Sequence, residues 1–92
     1  MPCRQIIRIG RRGGSDYEIT SDTVSSDHAL LIVGASSRHL LIDQASVNGT
    51  RVAGTDGGER IRQKMVSSQE EVFFGDARCL VGDILSHAGI QE

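Results

Sequence analysis

The sequence predicts an all-β protein, a β-sandwich or barrel of many short strands. Three observations carry that expectation. Apolar runs of a strand's length recur along the chain, each closed by Gly, Ser, Asp or Asn. The 11 glycines sit mostly at those breaks, where tight turns need them. No segment of useful length keeps a helical period, and the best candidate is the tail from Asp83 to Gln91.

Taken in order, the first strand is expected at Gln5–Arg11, where Ile6, Ile7 and Ile9 precede the break Arg12–Asp16. A short one follows at Glu18–Thr20. Ala29–Val33 is apolar at every position, so it is expected at the centre of the core, covered on both faces. Arg38–Ile42 comes next, then Thr50–Val52 beyond the polar stretch Asp43–Gly49. In Arg60–Lys64 the cations fall on alternate residues and so on one face, which reads as a solvated sheet face in the absence of accompanying aromatics, or else as an electropositive groove. Glu71–Phe74 and Ala77–Val81 are the last two strands, separated by the break Gly75-Asp76. Residues 1–86 are expected to make one domain, and 87–92 a flexible tail.

Bulk properties narrow the function. Ninety-two residues bury one modest core. A net charge of −2 argues against a dedicated nucleic-acid binder, which needs many cations on one face. No apolar run is long enough to cross a membrane, and the arginines of the first eight residues speak against a secretory signal. Cys3 and Cys79 match no zinc spacing and are too few for a disulfide framework, which favours the cytoplasm. Cys79 lies in an apolar run and reads as a small buried hydrophobe, Cys3 as a free thiol. Neither a metal nor a cofactor is expected.

Three polar clusters interrupt the apolar runs: Gly10-Arg11-Arg12, Ser25-Ser26-Asp27-His28 and Ser46-Val47-Asn48-Gly49-Thr50. An arginine, hydroxyls and a side-chain amide at strand ends suit an oxyanion better than a metal. Ser25 and His28 are too close in sequence for a nucleophile and a base drawn from separate parts of a fold, so His28 reads as a loop brace. No paired carboxylates or nucleotide-type phosphate loop are present, and an enzyme is not expected. Asn48-Gly49 suits a tight turn, and the Asn amide offers both a donor and an acceptor to an extended peptide.

In this order and spacing the clusters resemble the forkhead-associated (FHA) domain. That family reads Gly-Arg, then Ser-x-x-His, then Ser-x-Asn-Gly-Thr. Here Gly10-Arg11, Ser25-x-x-His28 and Ser46-x-Asn48-Gly49-Thr50 correspond, and Glu70-Glu71-Val72-Phe73-Phe74-Gly75 resembles the closing stretch. The resemblance runs from about Ile7 to Val81.

It implies a β-sandwich of two largely antiparallel sheets with recognition loops at one end. It also implies a module that binds a phosphothreonine peptide and so recruits a partner phosphorylated by a Ser/Thr kinase. Carried over position by position, Arg11 and Ser25 contact the phosphate, Ser26 is a further candidate, Asn48 holds the peptide backbone beside the phosphothreonine, and Val47 occupies a further ligand-side position. Gly10, His28, Ser46, Gly49 and Thr50 support the site.

The chain departs from the family pattern at Ser26, where an arginine is frequent. It departs again at Val47, where some members carry Thr or Ser, and in the short segment before Gly10. Those departures leave a second expectation open, a phosphate-independent assembly module on the same scaffold, with an exposed sheet edge able to pair with a second copy.

Overall fold

In the computed structural model, residues 5–35, 37–54 and 58–90 are described. Eight strands and one short helix follow the chain: β1 (Gln5–Gly10), β2 (Tyr17–Glu18), β3 (Ala29–Val33), β4 (Arg38–Asp43), β5 (Thr50–Val52), β6 (Gln63–Ser67), β7 (Glu71–Phe74), β8 (Ala77–Leu80) and α1 (Val81–His87). The strands form two sheets, one of five in the order β2-β1-β3-β4-β6 and one of three in the order β5-β7-β8. Every pairing is antiparallel except β1 with β2. The fold is thus the expected two-sheet sandwich.

Alternation along each strand decides which side chains fill the space between the sheets. Ile7 and Ile9 of β1, Leu31 of β3, Leu41 of β4 and Val66 of β6 turn inward from the large sheet. Val52, Val72 and Phe74 meet them from the small one. Ala29, Leu31 and Val33 are buried, but Leu30 and Ile32 on the opposite face of β3 are only partly covered. The strand is therefore central in its sheet, as its composition suggested, yet one of its faces is not roofed over. Ile6 and Met65, on β1 and β6, extend that outer face and are 45% and 44% exposed.

Several boundaries move. The strand expected at 60–64 is β6, which starts three positions later at Gln63. The reason is that 60–62 passes from one sheet to the other. Arg60 bridges Arg51 of β5 in the small sheet, and the Arg62 carbonyl accepts from the Asp43 amide of β4 in the large one. The alternation of Arg60 and Arg62 is real, but two different sheets share it.

β1 is flanked at its end by β2, which pairs with it through Ile9 and Gly10. Its last residue is Gly10 and β8 ends at Leu80, each one residue short of expectation. β2 lies at Tyr17–Glu18 rather than Glu18–Thr20.

Val81, Ile84 and Leu85 have the spacing of one helical face, and all three are buried. Beyond His87 the helix closes with the two hydrogen bonds of a Schellman motif, Gly89 N–H to Ser86 O and Ile90 N–H to Leu85 O, with Gly89 at φ +78°. Ala88 and Ile90 pack against the core. The backbone as far as Ile90, within the stretch 87–92 expected as a flexible tail, is thus hydrogen-bonded to the helix end. The tail's final residues, like Cys3, lie outside the described residues.

Tyr17 meets His87 edge-on at 5.2 Å, and its hydroxyl titrates above its usual value through burial, with Cys79 and Asp83 adding to the shift. Cys79 faces inward and is partly buried. Burial, then Asp83, pushes its thiol up, so little reactive thiolate forms at neutral pH. No helix of the described residues is long and apolar enough to cross a membrane.

Candidate functional site

Strand register gathers the three clusters at one end of the sandwich. Ile9 pairs with Ala29, and Ala29 with Asp43, so the end of β1, the start of β3 and the end of β4 lie side by side. β5 starts, and β7 ends, at the same place: the Gly75 amide donates to the Gly49 carbonyl at 3.0 Å. The loops after β1, before β3, between β4 and β5, and between β7 and β8 therefore share one rim.

The first loop is held by its backbone. Arg11 N–H donates to Ser25 O at 3.0 Å and Arg12 N–H to Ser26 O at 3.3 Å, which fastens the first cluster onto the second. At Gly10 the two loop backbones come so close that a Cβ would collide with the Ser26 carbonyl, so only glycine fits.

Arg11 is exposed, and its Nε donates to Val24 O at 3.0 Å. That bond fixes one edge of the guanidinium, and its terminal nitrogens have no partner among the described residues. Arg12 is paired with Asp27 at 2.9 Å, both well exposed, so its charge is largely answered.

His28 joins the second loop to the third. It is fully buried and lies edge-on to Phe74 at 5.5 Å. Its Nδ1 accepts from Ser25 N–H at 3.0 Å. With Nδ1 an acceptor, the proton sits on Nε2, which donates to the Gly49 carbonyl at 2.9 Å. The imidazole thus bonds the Ser25 amide and not its hydroxyl, and the two do not form a nucleophile–base pair. Ser25 Oγ instead accepts from Val47 N–H at 3.0 Å. Its own proton is left to donate to a ligand. Ser26 is exposed on the same loop.

The third cluster is built around a residue that the sequence reading did not single out. Asp43, at the end of β4, accepts from Ser46 N–H, Ser46 Oγ and Thr50 Oγ1. Ser46 Oγ in turn accepts from Gly49 N–H at 3.1 Å. Thr50 is fully buried and Ser46 nearly so.

Burial works to raise the Asp43 carboxyl, but the hydroxyls of Ser46 and Thr50, the Ser46 amide and nearby His28 outweigh it. The group titrates below its ordinary value. The signal was present in the sequence, an Asp three residues before a Ser at a turn, which is a local side-chain-to-backbone cap. Gly49 has φ +85°, and Val47 projects outward, 80% exposed.

Thr23 is a second residue that went unnoticed. Its carbonyl accepts from Asn48 Nδ2 at 2.9 Å, which aims the Asn amide, and its Oγ1 accepts from Asp76 N–H at 2.9 Å. Gly75, at φ +60°, lies against Thr23 with no room for a Cβ. Asn48 keeps its carbonyl oxygen and one amide hydrogen for a ligand. Arg60 is the third such residue: its Nη2 donates to Ser46 O at 3.0 Å. No group of His, Cys, Asp and Glu able to hold a metal ion occurs among the described residues.

The arrangement offers an oriented cation, a hydroxyl donor and a bifunctional amide along one rim. A model of the FHA domain family matches residues 7–75, and the chain belongs to that family. The FHA domain of CT664 from Chlamydia trachomatis superposes with a TM-score of 0.71 at 23% identity, covering 85% of this chain and 75% of that one. Mycobacterium tuberculosis EmbR, solved with a low-affinity phosphopeptide, gives 0.66 at 27% identity over 79% of this chain and 18% of its own. The N-terminal FHA domain of Saccharomyces cerevisiae Rad53p, in complex with a phosphothreonine peptide, gives 0.59 at 24% identity, covering 74% and 54%. A search of curated proteins finds no match.

Proposed function

We propose that this domain binds a phosphothreonine-containing segment of a partner protein, made so by a Ser/Thr kinase, and performs no catalysis of its own. The observation that carries the reading is the pairing of two donors on adjoining loops. Arg11 is oriented through Nε with its terminal nitrogens unpaired among the described residues, and Ser25 Oγ accepts from Val47 N–H. A phosphate carries close to two negative charges and accepts hydrogen bonds only, so it matches a site made of outward-pointing donors.

Arg11 supplies the charge, and Ser25 supplies a hydroxyl, with Ser26 beside it. Asn48, aimed by Thr23, takes the peptide main chain next to the phosphothreonine, along the exposed Val47. Gly10, His28, Ser46, Gly49 and Thr50 hold the loops. Charge-assisted hydrogen bonds contribute about 1.5–3 kcal/mol each, which with main-chain contacts gives affinity on the order of micromolar. The complexes of EmbR and Rad53p with phosphopeptides support the same class of ligand.

Titration with matched peptides carrying phosphothreonine, phosphoserine or unmodified threonine tests the reading, with Arg11→Ala as control. Binding is expected for the phosphothreonine peptide, and Arg11→Ala should weaken it by about 10- to 100-fold. Equal binding of all three peptides overturns the proposal. So does partner binding that is unaffected by Arg11→Ala but is lost on a surface change away from the rim loops, such as Arg62→Glu, which favours the phosphate-independent assembly module.

A further inference from the structure

Arg60 lies outside all three clusters, yet its side chain reaches into the site. It stands where the chain crosses between sheets, fixed by its bridge to Arg51 and by Ile61 N–H donating to Thr50 O at 2.8 Å. From there the stem runs across Gly49, so that a Cβ on that glycine would sit 2.9 Å from Arg60 Cγ and Cδ. The guanidinium then donates to the Ser46 carbonyl through Nη2 at 3.0 Å.

That carbonyl belongs to the same peptide unit as Val47 N–H, whose hydrogen bond goes to Ser25 Oγ at 3.0 Å. Carbonyl and amide of one planar unit turn together. Arg60 holds one end of the plane and Ser25 the other.

We infer that Arg60 is a positioning residue for phosphopeptide binding. It fixes the Ser46–Val47 peptide plane, and through Val47 N–H it sets the direction in which the Ser25 hydroxyl proton is presented. The inference rests on the phosphopeptide reading above, though its structural half can be tested in the free protein. Without the guanidinium the Ser46–Val47 plane is held only through Val47 N–H to Ser25 Oγ, because the Asp43 and His28 contacts grip the turn at Ser46, Gly49 and Thr50 and leave this carbonyl alone. Lys keeps the charge but lacks the planar fork, and Met keeps most of the stem while losing every donor.

The experiment compares wild type with Arg60→Met, Arg60→Lys and Ser25→Ala. It reads the amide resonance of Val47 and the side-chain amide of Asn48 in the free protein, then affinity for the tightest peptide from a degenerate phosphothreonine library. Arg60→Met is expected to shift the Val47 amide and weaken binding about fivefold, the loss of one charge-assisted bond acting indirectly. Arg60→Lys recovers part of that. Combined with Ser25→Ala, the loss should fall well short of the product of the single effects, whereas with Arg11→Ala it should multiply.

Unmoved Val47 and Asn48 resonances overturn the inference. Full multiplicativity with Ser25→Ala does so too, since Arg60 then acts as a separate charge. If no library peptide binds the wild type, the functional reading fails, and the resonances of the free protein alone decide whether Arg60 holds the turn.

Discussion

Two halves of the same rim are built in opposite ways. The Gly10–Arg12 arm is fastened by backbone bonds and leaves its cations in solvent. The Asp43–Thr50 turn, with His28 behind it, sinks its polar groups into the protein and pairs them with one another. The charge that attracts a ligand is therefore replaceable at little structural cost, whereas the groups that shape the turn also hold the sheets together. Binding and stability should separate accordingly.

The sharpest way to break that contrast is His28→Ala. It leaves Ser25 N–H and Gly49 C=O without their buried partner and opens space against Phe74. A loss of about 3 kcal/mol is expected in chemical denaturation. A variant as stable as wild type would show that the turn does not depend on its brace.

Arg11→Ala should do the reverse. Its affinity for a phosphothreonine peptide should drop by about 10- to 100-fold in calorimetric titration, with the melting temperature unchanged. A large fall in melting temperature would erase the distinction between the two halves.

Asp43 sharpens the comparison through pH. Its carboxyl is depressed in the folded state, so its contribution is present above the unfolded value near 4 and is lost as pH falls through the lower folded one. Asp43→Asn should cost about 1–2 kcal/mol at pH 7 and flatten the decline in stability below about pH 4. An unchanged acid limb in urea denaturation would exclude Asp43 as its source. The smallest effect belongs to Val47→Thr. At 80% exposure it should leave the melting temperature alone and tighten phosphopeptide binding about twofold, through one added hydroxyl.

The same division explains what the sequence disclosed. Glycine and polar residues at strand ends marked all three clusters, because their chemistry is local: Gly10 is demanded by close approach, and Gly49 by a positive φ. Recurrent short apolar runs gave the all-β class, and the family resemblance gave the two-sheet arrangement.

What stayed hidden depends on contacts made across the fold. Arg60 looked like one cation in an alternating strand, and only the change of sheet at residues 60–62 turns it toward Ser46. Thr23 works through its backbone carbonyl, which has no sequence signature. The outer face of β3 read as buried because apolar composition cannot tell a roofed sheet from an open one. Ala88 and Ile90 belong to a helix end whose closing bonds are set by Gly89, a single residue easily taken for the start of a loose tail.

The Gly49 carbonyl, which accepts from both His28 and Gly75, has a thermodynamic consequence. A turn whose main chain is already frozen loses little configurational freedom when a peptide arrives, so the ordering cost falls almost wholly on the ligand. Such a site behaves as a rigid template. On the phosphopeptide reading proposed above, it would select extended peptides that reach it in the right shape, with the discrimination written into the resting protein before any encounter.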